Sequence, residues 1–192
     1  AIVSLDTAKA AKHPGVKCVL TGVDAVRAGY VKPMHTLNFP GKNGMQTRAP
    51  DRPVLAHGKV RFVGEALAVV VADTAVGAQD AAELVEVEYR DLPPAIAPEA
   101  ALAPGAPQLH ENAPNNRVFD FGNGNEAETN AAFQSAAHVV RLSLYNNRVA
   151  ASPMEPRAAL ISYDDASDSY LVHTPSQGVN MTRKQFATYS NL

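Results

Sequence analysis

Apolar and polar positions alternate in short blocks along the first half of the chain. Ile2, Val3 and Leu5 predict a short strand, Asp6-Thr7 a cap, and Ala8 to Lys12 a helix that His13-Pro14-Gly15 stops. Val16 to Thr21 reads as a second strand, and Gly22 to Ala28 as a helical turn. Gly29 to Pro53, broken by prolines and glycines and without periodicity, predicts a long loop. Beyond it Lys59 to Val63 alternates, and Ala66 to Ala72 is an unbroken apolar run expected to be a strand covered on both faces. Asp73 is expected to cap a helix from Thr74 to Leu84 whose small residues Ala75, Ala78, Ala82 and Val85 form a packing face. Val85, Val87 and Tyr89 against Glu86, Glu88 and Arg90 give a strand with one wet face, ended by Asp91-Leu92-Pro93-Pro94.

Pro94 to Asn116 is rich in proline, alanine and asparagine, the composition of a surface-crossing linker, and marks a domain boundary. Val118 to Phe121 predicts a short strand, Gly122 to Asn125 a turn and Glu126 to Ala136 a helix. His138 to Tyr145 alternates again, while Ala158 to Tyr163 and Tyr170 to His173 predict a hairpin across polar Asp164 to Ser169. A helix begins near Val179 and runs through Thr182 to Leu192. The fold class is α+β. A strand under way at Ala1 without an initiating methionine, and a helix running into Leu192, make a fragment the expectation.

Composition narrows the function classes. Lysine plus arginine number 17 against 19 acids, so a net charge of −2 offers no electrostatic case for nucleic acid or an anionic membrane. No apolar run approaches the ~20 residues a membrane span needs, and a cytoplasmic protein is expected. The single cysteine, Cys18, precludes an internal disulfide and is expected at a buried strand position.

Familiar site patterns fail on spacing. The six histidines, His13, His35, His57, His110, His138 and His173, stand far apart with no second cysteine, so no zinc site is expected. Gly122-Asn123-Gly124 lacks the third glycine of a dinucleotide fingerprint, and Gly41-Lys42-Asn43-Gly44 lacks the ending of a phosphate loop. Glu86 and Glu88, two apart on one strand face beside Glu83, read as a solvated acidic edge rather than a catalytic pair. Glu65, after Gly64 at the entry to a strand, either caps local backbone amides or faces another part of the molecule.

Longer stretches carry a resemblance. Pro14-Gly15-Val16-Lys17-Cys18-Val19-Leu20-Thr21-Gly22, then Arg52-Pro53-Val54-Leu55, Lys59 through Thr74 and Ala81 through Pro93 are similar, in this order, to the α/β hammerhead domain opening the large subunit of molybdenum hydroxylases, the family of xanthine dehydrogenase, aldehyde oxidase and carbon monoxide dehydrogenase. Met154-Glu155-Pro156-Arg157-Ala158-Ala159 and His173-Thr174-Pro175-Ser176-Gln177 resemble the start of the molybdopterin-binding domain of the same subunits. The resemblance implies a hammerhead domain over residues 1–101, a linker over 102–117 and an incomplete cofactor domain over 118–192.

It further implies a parent oxidoreductase that oxidises an aldehyde, a nitrogen heterocycle or carbon monoxide with water-derived oxygen. Its molybdenum would be carried by a molybdopterin, in bacterial members usually the cytosine dinucleotide form, so the protein supplies shape and hydrogen bonds rather than metal ligands. Electrons would pass to 2Fe-2S clusters and FAD on partner subunits or domains, in a hetero-oligomer acting on a small molecule. Gln177 matches the family glutamine that donates its amide to the apical oxo ligand, with capping of the following helix as the alternative; Gly178 would let backbone approach the cofactor. Glu155 and Arg157 are motif residues for which an ion pair or backbone cap is the default. The family's glutamate base lies beyond Leu192, so no catalytic residue, bound cofactor or metal is expected in these residues themselves. The alternative is a non-catalytic assembly module that docks the iron-sulfur and flavin subunits.

Overall fold

The computed structural model describes residues 1–30, 41–50 and 52–190. Part of the loop expected over Gly29 to Pro53, His35, and the last two residues of the stretch read from the sequence as a helix through Leu192 lie outside the described residues. The chain divides into two compact units, Ala1–Gly122 and Asn123–Leu192.

In the first unit, strand β1 (Ile2–Asp6) pairs antiparallel with β4 (Glu86–Tyr89), and β2 (Val16–Thr21) with β3 (Ala68–Ala72). Helices α1 (Ala8–Ala11), α2 (Gly22–Arg27), α3 (Ala75–Ala82) and α4 (Pro98–Leu102) complete it. The β1–β4 register puts Leu5 opposite Val87 on one face, and Ser4 opposite Glu88 and Asp6 opposite Glu86 on the other. That second face is wet: Ser4 Oγ donates to Glu88 at 3.3 Å, and Lys9 bonds Glu86. The acidic edge read from the sequence is therefore a set of solvated cross-strand contacts. The Asp6 carboxylate accepts from Ala8 N at 2.8 Å and starts α1 where the chain leaves the strand.

The β2–β3 ribbon departs from expectation. Opposed residues project to the same side, so Cys18 with Val71 and Leu20 with Val69 share one face, and Val19 with Val70 the other. Helix α3 packs against β3 and α1. The face bearing Val69 and Val71 stays open, at 44% and 43% exposure, and Cys18 with it is exposed rather than buried. An apolar run marks a strand but cannot say how many of its faces are covered.

Helix α3 is also rotated from its predicted phase. Ala81 is wholly buried and Gly77, Ala78 and Val85 are partly so, while Ala75 and Ala82 face solvent. Alanine lies on every side of this helix, which left its periodicity without a definite phase. Its cap is Thr74, whose Oγ1 accepts from Gly77 N at 3.1 Å; Asp73 instead pairs with Lys17 at 2.8 Å. A hydroxyl one residue nearer the helix took the capping site.

Neither Lys59 to Val63 nor Val118 to Phe121 forms a strand. In the first, Glu65 Oε2 accepts from Arg61 N at 2.6 Å and folds the segment into a turn, the local capping duty considered for Glu65. In the second, Val118 and Asp120 carbonyls accept from Arg48 N and Lys42 N at 2.8 Å each, contacts too irregular for a ladder. The proline-rich stretch after β4 is knitted by Asn116. Its Oδ1 accepts from Leu109 N at 2.8 Å, and its Nδ2 donates to Ala101 O and Pro107 O at 2.8 and 2.9 Å. Arg61 Nε to Leu109 O, at 3.0 Å, and Lys59 to Glu111, at 2.9 Å, tie the same stretch to the Glu65 turn.

Gly22 shows the tightest approach in this unit. A Cβ there would meet Ala56 O at 2.1 Å, so only glycine lets α2 lie against Leu55-Ala56, themselves 4% and 2% exposed. Thr21 and Asp24 box the start of α2, with Thr21 N and Oγ1 both donating to the Asp24 carboxylate at 2.8 Å.

The second unit contains α5 (Glu126–Ser135), the hairpin β5 (Leu160–Asp164) with β6 (Ser169–His173), and α6 (Val179–Ser190). Asn125 caps α5, its Oδ1 accepting from Glu128 N at 3.1 Å. Asp164 turns the hairpin by accepting from Ala166 N and Ser167 Oγ at 3.1 and 2.6 Å. These bonds hold its carboxyl below the ordinary aspartate range, the Ser167 hydroxyl first. Tyr163 and Tyr170 pair across the strands with rings 4.9 Å apart, and Phe186 of α6 meets Tyr170 edge-on at 6.4 Å. His138 to Tyr145, whose residues alternate in sequence, forms no strand; Val140, Leu142 and Leu144 are at least 78% exposed. A period-two pattern needs a neighbouring strand to become a ladder, and no described residue supplies one.

Candidate cofactor-contacting loop

The segment between β6 and α6 holds both residues singled out from the sequence. Strand β6 ends at His173, and the next residue, Thr174, donates its hydroxyl to Ala158 O at 3.0 Å. That bond anchors the loop beside the residue that follows Arg157. At the far end Gly178 O accepts from both Thr182 N and Thr182 Oγ1 at 3.0 Å, which starts α6. Gly178 thus occupies the capping position and Gln177 lies one residue outside the helix.

Gln177 is exposed, and among the described residues its side chain makes no hydrogen bond. Gln177 therefore does not cap the helix, and the Gly178 carbonyl accepts the first bond of α6. Both ends of the amide, donor and acceptor, are thus unengaged by the described residues. Around Gly178 a Cβ would meet nothing within 4 Å, so a ligand has open access to the backbone there. The first turn of α6 carries no acidic side chain, and its leading amides point toward the loop.

Glu155 and Arg157 lie in irregular, exposed chain and make no ion pair among the described residues. Sequence reasoning missed Thr174 and Thr182, whose hydroxyls fix the two ends of the loop. Thr182, four residues beyond the capping glycine, carried a readable spacing signal; the long-range bond of Thr174 carried none.

Among the described residues no group of three or more histidine, cysteine, aspartate or glutamate side chains could hold a metal ion. No helix among them is long and apolar enough to cross a membrane.

In the first unit, an open cleft of about 810 Å³ lies over the Glu65 turn, bordered by Arg61, Phe62, Tyr89, Leu92 and Leu109. Beside it the His110 imidazole is held below its ordinary 6.5, by partial burial first and then by Arg61 and Lys59.

Residues 1–93 match the family profile described as "aldehyde oxidase and xanthine dehydrogenase, a/b hammerhead domain", and residues 109–192 match "molybdopterin cofactor-binding domain". The chain belongs to the molybdenum hydroxylase large-subunit family. Within that family it is 35% identical to the 6-hydroxypseudooxynicotine dehydrogenase complex subunit gamma of Paenarthrobacter nicotinovorans, over 89% of this chain and 21% of that protein. It is 33% identical to the carbon monoxide dehydrogenase large chain of Hydrogenophaga pseudoflava, over 93% of this chain and 22% of that one. Quinoline 2-oxidoreductase from Pseudomonas putida 86 superposes with a TM-score of 0.79 at 33% identity, covering 99% of this chain and 23% of its own. The Cu,Mo-CO dehydrogenase in its carbon monoxide reduced state gives 0.81 at 30% identity, covering 100% and 24%. The chain therefore spans about a fifth to a quarter of the length of these molybdenum hydroxylases.

Proposed function

We propose that these residues form the hammerhead and opening cofactor-domain part of a molybdopterin-dependent oxidoreductase, with the Gln177-Gly178 loop as one wall of its cofactor site. The observation that carries this reading is the ordered match of both domains of one subunit type along a single chain. The unpartnered Gln177 amide and the open backbone at Gly178 support the placement of the cofactor.

When bound, the molybdopterin would supply the redox metal at which substrate is oxidised. Gln177 would donate its amide to an oxygen of the metal centre, a neutral donor that orients the group without adding charge. Gly178 and the first amides of α6 would line the approach. The proposed cofactor form is the cytosine dinucleotide, and the proposed partners are 2Fe-2S and FAD subunits in a cytoplasmic hetero-oligomer. Relatives named for carbon monoxide, nicotine and aldehyde chemistry set the range of small-molecule substrates proposed here.

The test is Gln177→Ala in the full-length parent. Turnover of the matching substrate should fall by about tenfold or more, as for loss of an outer contact to a metal site, with circular dichroism unchanged. Wild-type turnover would remove Gln177 from the site.

A further inference from the structure

The joint between the two compact units, at Gly122 and Asn123, carries a reactive dipeptide that the cofactor reading does not use. Asn123 is followed by Gly124, both are exposed, and Gly124 has φ +105, an open conformation with nothing within 4 Å of a would-be Cβ. Gly124 N donates to the side-chain oxygen of its own neighbour, Asn123 Oδ1, at 2.9 Å. With a C=O bond of about 1.23 Å, that contact places the nitrogen within about 4 Å of Asn123 Cγ. Rotation about Asn123 ψ and χ1 then brings these two atoms to attack distance, and Gly124, with no Cβ, puts no side chain in the way of ring closure.

We propose that Asn123 is a site of spontaneous deamidation. Gly124 N loses its proton to solvent base and attacks Cγ. The N–Cγ bond forms, the Cγ–Nδ2 bond breaks and ammonia leaves, giving a cyclic succinimide. Water then adds to either ring carbonyl, and the ring opens to aspartate or isoaspartate. The net reaction consumes one water, releases one ammonia and needs no oxidant or reductant. The product places a new negative charge three residues before α5, whose cap is Asn125 and whose first turn holds Glu126 and Glu128. Isoaspartate also lengthens the backbone by one methylene within the segment where the two units meet in sequence.

The chain has an internal comparison in Asn43-Gly44. There Asn43 is held at φ 55 inside a tight turn closed by Met45 N to Lys42 O at 3.1 Å and Gly41 N to Met45 O at 2.9 Å. No contact between the Asn43 side chain and Gly44 N is formed, and the turn restrains the rotation that attack requires.

The experiment is a timed incubation of the full chain in mildly alkaline buffer. Peptide mass spectrometry would measure amide-to-acid conversion, and an isoaspartate-specific methyltransferase would report the rearranged product. In the folded chain Asn123 should convert roughly threefold or more faster than Asn43, a difference set by local geometry. The same incubation in urea should bring the two rates together. Equal rates in the folded chain, faster conversion at Asn43, or an absence of isoaspartate at 123 would overturn the proposal.

Discussion

Replacing Gly22 by alanine puts the close approach of α2 to the 55–57 segment to a direct test. The new Cβ would lie 2.1 Å from Ala56 O, 2.7 Å from Ala56 C and 3.2 Å from His57 Cα, so it collides with backbone that cannot rotate aside. Both partners are held. Ala56 N donates to Ala66 O at 2.7 Å, and α2 is boxed by Thr21 and Asp24. Overpacking of this kind costs about 1–3 kcal/mol. Alanine recovers about 0.4–1 kcal/mol by restricting the unfolded chain. The clash outweighs that recovery, and a net loss of about 1–2 kcal/mol is expected. At roughly 2–4 °C per kcal/mol for a chain of this size, the midpoint should fall by several degrees. Urea and thermal unfolding followed by far-ultraviolet circular dichroism would measure it, with Gly178→Ala as the control. That glycine has open space and no positive φ, so its change should stay within about 0.5 kcal/mol. A Gly22→Ala chain as stable as its parent would refute the reasoning.

Asn116→Ala removes three backbone contacts and leaves alanine at φ 54; hydrogen exchange should accelerate at the Leu109 amide, and unchanged protection would contradict the knitting role. His110 has a depressed folded value, so the stability it contributes is present above its unfolded 6.5 and lost as pH falls below it. His110→Asn should therefore flatten the loss of stability between neutral and mildly acid pH, and an unaltered profile would exclude His110 as its source. Cys18 should react with a thiol reagent in the native chain, and reaction only after unfolding would contradict its exposed placement. Elemental analysis of the purified 192-residue chain should find no stoichiometric molybdenum, since Gln177 and Gly178 form only one side of the proposed site.

Local signals were legible where one short stretch determines the outcome. The Asp6 cap, the Val85 to Tyr89 alternation and the polar turn between Tyr163 and Tyr170 each specify their element through neighbours a few residues away. The phase of α3 was not legible, because its alanines offer no preferred face and the choice of Gly77 and Ala81 is made by packing against β3 and α1. The same holds for Cys18. Its strand could be read, but its exposure depends on the open face shared with Leu20, Val69 and Val71.

The candidate site follows the same division. Gln177 was identified through a motif, whereas what makes its amide available is structural: Gly178 and Thr182 begin α6 without drawing on it. Had Gln177 capped the helix, its amide would already be engaged and contact with a cofactor would require breaking that bond. The hairpin and α6 hold the loop through Thr174, Tyr170 and Phe186, local contacts within the second unit that do not depend on His138 to Tyr145 being paired. The loop therefore keeps its form whether or not the alternating segment is paired. Loop shape and strand pairing are separable, so substituting Leu142 should leave the Thr174 and Gly178 bonds intact, whereas Thr174→Val should loosen the loop without altering that segment.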